Sequence, residues 1–302
     1  MLSAPIDLAL VRRLFSDPQK LLEGDFLNRE IALRMREKLE LVKISPTALL
    51  DAGCGTGADL AELQRAYPQA QVIGLDAAAA MLSHGRLQQQ AALSAVGRLL
   101  AKWTPSSLRS ERAAMLMAAD FATMPMAAQS LDLIWSNLAL HWHPQPNLVM
   151  AEWRRVLRTE GLLMFSCFGP DTLVELRSAF AAVDAHVHTL PFVDMHDYGD
   201  MLIDAGFSTP VMDMEKITLT YQTPQRLLAD VRALGGNPLQ TRQRGLMSKR
   251  QYRALLDVLE MQRSPAGLLE LTYEVVYGHA FRPVSRKTSA GEAIVRFDLP
   301  KK

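Results

Sequence analysis

The stretch Leu49-Leu50-Asp51-Ala52-Gly53-Cys54-Gly55-Thr56-Gly57 constrains the chain more than any other. A short apolar run, bounded by a tight glycine-rich loop, reads as a buried strand. About 20 residues beyond the loop, a second apolar run, Val72-Ile73-Gly74-Leu75, ends in Asp76. A Rossmann-like sheet holds a nucleoside in this way. Glycines let the backbone close on the ligand, and the acid accepts hydrogen bonds from the ribose hydroxyls. The spacing is G-x-G-x-G, with Asp51 ahead of the first glycine. A pyrophosphate at a helix N-terminus wants bare N–H groups, and a carboxylate there repels it. A cationic ligand welcomes the same carboxylate. S-adenosyl-L-methionine carries an ammonium and a sulfonium, so it is expected here in place of NAD.

The 302 residues are enough for one large α/β domain with an elaboration, or for two small domains. Apolar residues make up 49% and charged residues 22%, as in ordinary globular proteins. A formal net charge of +1 gives no global case for binding nucleic acid or an anionic membrane. Cys54 and Cys167 stand far apart with no metal-ligand spacing, so neither a disulfide scaffold nor a metal centre is expected. No apolar run reaches the roughly 18 residues needed to span a bilayer. With no secretory signal pattern either, a cytoplasmic protein is expected.

Residues 5–43 read as helical, with Ile31, Leu33, Met35, Leu39 and Val42 set among charges. Strands are expected at Ala48–Asp51, Val72–Asp76, Met115–Ala118, Leu131–Ser136 and Leu162–Phe168, mostly with helices between. That alternation predicts a parallel, doubly wound α/β sheet. A helix over 146–158 turns into the last of these strands through Thr159-Glu160-Gly161. Ile217, Leu219 and Tyr221 alternate with period two, as do Leu269, Leu271, Tyr273, Val275 and Tyr277. They predict an antiparallel pair at the sheet edge, separated by an amphipathic helical insertion. The expected divisions are a helical lid at 1–45, a main domain at 46–281 and a polar tail at 282–302. Within the main domain, 222–267 form a cap, and 86–112 are a polar surface insertion.

Ligands of such sheets sit beyond the carboxyl ends of the strands. Asp51, Gly53, Gly55 and Gly57 are therefore expected at the amino-acid end of the cofactor, and Asp76 at the ribose. Asp120 suits the adenine amino group and Phe121 the ring face. Asn137 ends the fourth strand, where its amide either contacts cofactor or substrate or closes a turn. His141 is either a hydrogen-bond donor or weak base toward the acceptor, or a satisfied histidine at a turn. Thr172-x-x-Glu175 has the capping-box pattern, and Arg177 follows it. Arg177 either reaches a substrate carboxylate or is a solvated helix charge. Arg242, Arg244, Lys249, Arg250 and Arg253 stand with no acid among them. They form either a solvated face or a docking patch for an acidic partner, such as a carrier protein or an RNA phosphate.

The cofactor loop, Asp76, Ala119-Asp120, Ser136-Asn137 and Arg155-Val156-Leu157-Arg158-x-x-Gly161 together resemble the class I S-adenosylmethionine-dependent methyltransferases, over residues 48–168. A seven-stranded Rossmann-like sheet is what that resemblance implies. Further motifs narrow it. They are Ser136-Asn137-Leu138-Ala139-Leu140-His141-Trp142, Phe168-Gly169-Pro170-Asp171-Thr172-Leu173-x-Glu175-Leu176-Arg177, Leu234-Gly235-Gly236-Asn237 and Leu271-Thr272-Tyr273-Glu274. With these, the chain is similar to the malonyl-acyl carrier protein O-methyltransferase family of early biotin synthesis, from about residue 12 to residue 280. The resemblance implies methylation of the free carboxylate of a malonyl thioester, with acyl carrier protein as partner and neither nucleic acid nor membrane. That chemistry calls for a cation near the acceptor, Arg177 or one in the helical insertion, to hold the second carboxylate oxygen or the thioester oxygen, while His141 is expected where the transferred methyl emerges. Members of the family carry a tyrosine near the cofactor in the N-terminal segment. The matching region, 20–26, offers only Phe26 in its place. Phe26-Leu27-Asn28-Arg29-Glu30 and the tail after Arg282 look more like a sister group. That group is similar to a mitochondrial complex I assembly factor that hydroxylates an arginine, so a protein-modifying factor is the alternative.

Overall fold

The structure, a computed structural model, describes residues 4–22, 24–92, 114–243 and 245–284. Among these residues seven strands form one sheet: β1 (Ala48–Ala52), β2 (Gln71–Asp76), β3 (Met115–Ala118), β4 (Leu131–Ser136), β5 (Leu157–Phe168), β6 (Ser208–Tyr221) and β7 (Leu269–Phe281). Their spatial order is β3-β2-β1-β4-β5-β7-β6. The first five run parallel, and β7 lies antiparallel between β5 and β6. The class I methyltransferase architecture implied by the motifs is the one observed.

Helices cover both faces: α1 (Leu8–Leu14), α2 (Pro18–Leu22), α3 (Asp25–Glu40), α4 (Leu60–Ala66), α5 (Ala79–Ala92), α6 (Pro146–Val156), α7 (Val174–Ala181), α8 (Met195–Asp204), α9 (Pro224–Ala233) and α10 (Lys249–Met261). The strand pleat explains the two cores, because alternate side chains point to opposite faces. Leu49, Leu133 and Trp135 pack with Ile31 and Met35 of α3 on one face. Leu50, Ile134 and Phe165 pack with Val149 and Trp153 of α6 on the other. β1, with Leu49, Leu50 and Ala52 all fully buried, is apolar on both sides, as a central parallel strand must be.

Two local expectations are corrected. The helix before β5 ends at Val156, and β5 starts at Leu157 in extended geometry. The predicted turn at 159–161 is thus a kink inside the strand, with Glu160 at φ 63°. The Thr172-x-x-Glu175 capping box does not form either. Leu173, at φ 60°, is the N-cap of α7 and gives it no side-chain cap. Thr172 and Glu175 are drawn away to β7 instead, as described below. The insertion at 86–112 lies outside the described residues from 93 onward, as does the tail from 285.

The strand order reverses between β1 and β4, opening a crevice at their carboxyl ends. The N-terminal helices form its roof. Ile6 makes an antiparallel bridge to Leu239. Asp7 N–H donates to Pro238 O at 3.0 Å, and Gln240 N–H to Pro5 O at 2.8 Å.

Candidate active site

The crevice holds a cavity of about 180 Å³, lined by the β1 loop, the ends of β2 and β4, and α1–α3. Gly53, Gly55 and Gly57 have φ of 83°, 55° and 82°, a region that costs other residues energy. Gly53 also has no room for a side chain, because a Cβ there would stand 2.3 Å from the Ala139 Cβ. Gly53 and Gly55 line the cavity; Gly57 closes the turn by donating to Cys54 O at 2.8 Å.

Acids outnumber cations in the cavity, where Asp25, Asp51, Asp59, Asp76 and Asp120 stand against Arg12 and Arg29. Asp51 is 2% exposed. Burial, and then the charges of Asp59 and Asp76, push its pKa well above the usual carboxylate range. Asp59 and Asp76 are also raised by burial, against hydrogen bonds that pull the other way. Asp76 Oδ2 accepts from Gly55 N–H at 2.9 Å and Oδ1 from Ala78 N–H at 2.7 Å. Each oxygen keeps a lone pair for a ribose hydroxyl. The same carboxylate therefore shapes the glycine loop. Three recessed acids held together this way are costly without a cation. They fit the ammonium and sulfonium of S-adenosylmethionine and would repel a pyrophosphate.

Asn137 ties the strand end to the roof. Its Nδ2 donates to Asn28 O of α3 at 2.9 Å and its Oδ1 accepts from Ser166 Oγ at 2.8 Å. Asp59, missed in the sequence, accepts from Trp135 Nε1 at 3.0 Å and faces the cavity. An acid eight residues after Asp51, at the start of α4, was the available signal. Asp120 Oδ1 accepts from Ala122 N–H at 2.9 Å, and Oδ2 meets Arg12 of the roof at 3.3 Å. Phe121 lines the cavity beside it. The N-terminal ring at this cavity is Phe15, not Phe26. Phe26 is 45% exposed, whereas Phe15 stands edge-on to Trp142 at 5.1 Å.

Trp142 and Leu234 also line a second cavity, of about 250 Å³, whose walls include Phe168, Leu176, Phe180, Phe192 and Val231. The family-like motifs meet around it. Asp171 N–H donates to Glu274 Oε2 at 2.7 Å. Thr172 Oγ1 pairs with the Glu274 backbone, and Glu175 accepts from Thr272 N–H at 2.9 Å. Hydrogen bonds to β7 have thus taken Thr172 and Glu175 from the capping box. Gly235 packs against the Trp142 ring, 2.7 Å from where a Cβ would stand.

The structure brings neither His141 nor Arg177 to the lining of either cavity. His141 is 4% exposed, among the rings of Trp142, Phe168 and Phe192. Neither ring nitrogen has a partner among the described residues. Burial lowers its pKa to about 3, so the ring is neutral. Arg177 donates to Pro170 O at 2.6 Å, in the loop that leads into α7. Of the basic stretch, Lys249, Arg250 and Arg253 are exposed at the start of α10. Arg242 is half-buried and donates to Leu239 O at 3.1 Å, and Arg244 lies outside the described residues. Among the described residues no cluster of His, Cys, Asp and Glu is arranged to hold a metal, and no helix is long and apolar enough to cross a membrane.

Comparisons with known proteins give the family. A methyltransferase domain family matches residues 50–165. The malonyl-[acyl-carrier protein] O-methyltransferase of Laribacter hongkongensis is 44% identical over 275 residues, covering 90% of this chain and 89% of the relative. The protein of the same description from Gallionella capsiferriformans is 44% identical over 293 residues, covering 96% of each. Among solved structures, a Bacillus halodurans chain superposes with a TM-score of 0.56 at 16% identity. It covers 84% of this chain and 99% of its own, and supports the fold alone.

Proposed function

The chain belongs to the malonyl-[acyl-carrier protein] O-methyltransferase family, and from that premise we propose that it esterifies the free carboxylate of a malonyl thioester carried on acyl carrier protein. It is an S-adenosylmethionine-dependent O-methyltransferase. Malonyl esterification is an early step of biotin synthesis, in the cytoplasm. Family membership selects this reading over the protein-modifying alternative. The observation that carries it is the trio Asp51, Asp59 and Asp76 around a glycine loop, in a cavity that shares Trp142 and Leu234 with an apolar neighbour.

When bound, S-adenosylmethionine supplies a sulfonium methyl to a carboxylate oxygen and departs as a neutral thioether, so no proton has to move. The work left to the protein is alignment and exclusion of water. Asp51 and Asp59 hold the cationic amino-acid end, and Asp76 holds the ribose while fixing Gly55. Asp120 and Phe121 take the adenine. Asn137 and Arg12 fasten the roof to the cleft from opposite sides. A neutral, buried His141 suits a reaction that needs no base, and we assign it to packing behind Trp142. The helices of 1–45 act as the lid and those of 222–267 as the substrate cap. Lys249, Arg250 and Arg253 offer the acidic carrier protein a docking face.

The test is methyl transfer from labelled S-adenosylmethionine to malonyl-acyl carrier protein, with succinyl and acetyl forms alongside. Base-labile label on the malonyl form alone is expected. Cofactor binding without transfer to any of the three would overturn the proposal.

A further inference from the structure

The second cavity carries more information than its apolar walls. Tyr273 of β7 lines it, is 1% exposed, and has a hydroxyl without a hydrogen-bond partner among the described residues. A buried, unsatisfied hydroxyl is costly, and a ligand that accepts its proton removes the cost. Arg232 of α9 lines the same cavity and is exposed, so it stands at the mouth. Its guanidinium has no ion-pair or hydrogen-bond partner among the described residues. Met247 and Tyr252 also line the cavity, and between them in sequence are the exposed Lys249 and Arg250. At the inner end, Trp142 and Leu234 are shared with the cofactor cavity. The second cavity thus joins an exposed cation, apolar walls with one buried donor, and two residues that it shares with the cofactor cavity.

We propose that this cavity seats the acyl-pantetheine arm of the thioester, with its phosphate on Arg232, a carbonyl on the Tyr273 hydroxyl and its acyl end against Trp142 and Leu234. The assignment rests on the carboxyl-methylation reading of the cleft and names the residues that select its substrate. The chemistry of the arm matches the passage. A pantetheine arm is a narrow chain of methylenes and amides ending in one phosphodiester. Its methylenes fit Phe180, Phe192 and Val231, an amide or thioester carbonyl accepts from Tyr273, and the phosphate fits a guanidinium. The basic face of α10 then meets the carrier protein beyond the mouth.

Three variants and three malonyl thioesters test it. The thioesters are those of acyl carrier protein, of coenzyme A and of N-acetylcysteamine, which has no phosphate. Val231→Trp fills the passage without touching the cofactor cavity. It should lower kcat/KM at least tenfold on all three thioesters, while S-adenosylhomocysteine affinity stays within twofold by calorimetry. Arg232→Ala should lower kcat/KM about tenfold on the two phosphate-bearing thioesters relative to the N-acetylcysteamine thioester. Tyr273→Phe should raise KM about fivefold and leave Tm unchanged or higher, because the lost hydroxyl has no internal partner. A folded Val231→Trp enzyme with wild-type kinetics would overturn the proposal, as would equal losses on all three thioesters in Arg232→Ala. Calorimetry with pantetheine 4′-phosphate separates the two levels of inference. If wild type binds it and Val231→Trp does not, the seat stands even should no malonyl thioester be methylated. No binding by wild type removes the seat and leaves the carboxyl-methylation reading to its own assay.

Discussion

Replacing Gly53 by alanine adds one methyl where the structure has room for none. The new Cβ would stand 2.3 Å from the Ala139 Cβ, whereas carbon atoms rest at about 3.5–4.0 Å. One side must yield by more than an ångström. Neither methyl has a rotamer to escape through, and both backbones are tied. Gly53 N–H donates to Leu75 O at 2.7 Å, and Ala139 O accepts from Trp142 N–H at 3.1 Å. Overpacking of this kind costs about 1–3 kcal/mol. The φ of 83° adds about 1–2 kcal/mol for a residue with a Cβ. The sum, about 2–5 kcal/mol, falls on the loop that shapes the cofactor cavity. At 1.4 kcal/mol per decade, S-adenosylhomocysteine binding should weaken by about 30-fold or more. Calorimetry measures this directly, with thermal melting showing how much of the cost falls on the fold instead. Ala139→Gly in the same chain removes the struck atom and should recover the overpacking part alone, leaving the φ part. Wild-type affinity and Tm in Gly53→Ala would refute the reasoning. Failure of Ala139→Gly to recover anything would show that the contact is not the source.

Asp76→Ala strips the acceptors from Gly55 and Ala78 N–H, and should weaken cofactor binding about 100-fold at charge-assisted values of about 1.5–3 kcal/mol per bond. Calorimetry reporting unchanged affinity would sink the assignment. Asp51 has a raised folded pKa, so its stabilising form is the protonated one and is lost as pH rises through that pKa. Free Asp51→Asn should therefore melt above wild type at pH 8 yet bind S-adenosylmethionine at least tenfold more weakly; a lower Tm with intact binding would contradict this. His141 has a lowered folded pKa, so its contribution is complete above about 6.5 and declines by up to about 1.4 kcal/mol per pH unit toward 3. His141→Phe should flatten the fall of Tm between pH 6.5 and 4.5 and keep most methyl transfer, and a lost rate at unchanged Tm would restore a chemical role. Arg250→Ala with Arg253→Ala should raise KM severalfold for the carrier-borne substrate at low salt, with little effect on the N-acetylcysteamine thioester; equal effects on both would remove the docking face.

The parts of this architecture legible in the sequence were those encoded locally. Leu49-Leu50 and Val72-Ile73 announce buried strands because central parallel strands are apolar on both faces. Asp51 and Asp76 stand at strand ends, so position alone put them at the cleft. Period-two alternation in 217–221 and 269–277 announced the antiparallel edge. Residues recruited over distance were not legible. Thr172 and Glu175 carry a valid local capping signal, and hydrogen bonds to β7, about a hundred residues away, override it. Phe15 and Phe26 look alike in the sequence, and only the path of the N-terminal arm decides which reaches the cleft. Arg177 sits in a family-like motif, yet the arginine that lines the second cavity is Arg232, which no local pattern distinguishes from other helix-surface arginines.

The bridge between Ile6 and Leu239 bears on how the protein is made. Gln240 and Ile6, partners in the same junction, are 234 residues apart in the chain. During synthesis the N-terminal arm leaves the ribosome long before its docking strip, which follows it by more than 230 residues. The sheet core β1–β5 can assemble without waiting, since its pairings come from the first 168 residues. Closure of the roof is thus a late, long-range event whose loop entropy is met only after most of the domain has folded. Until then a nascent chain owns a cofactor cleft without a cover, and retention of the cofactor should begin only once the strip around Leu239 has emerged.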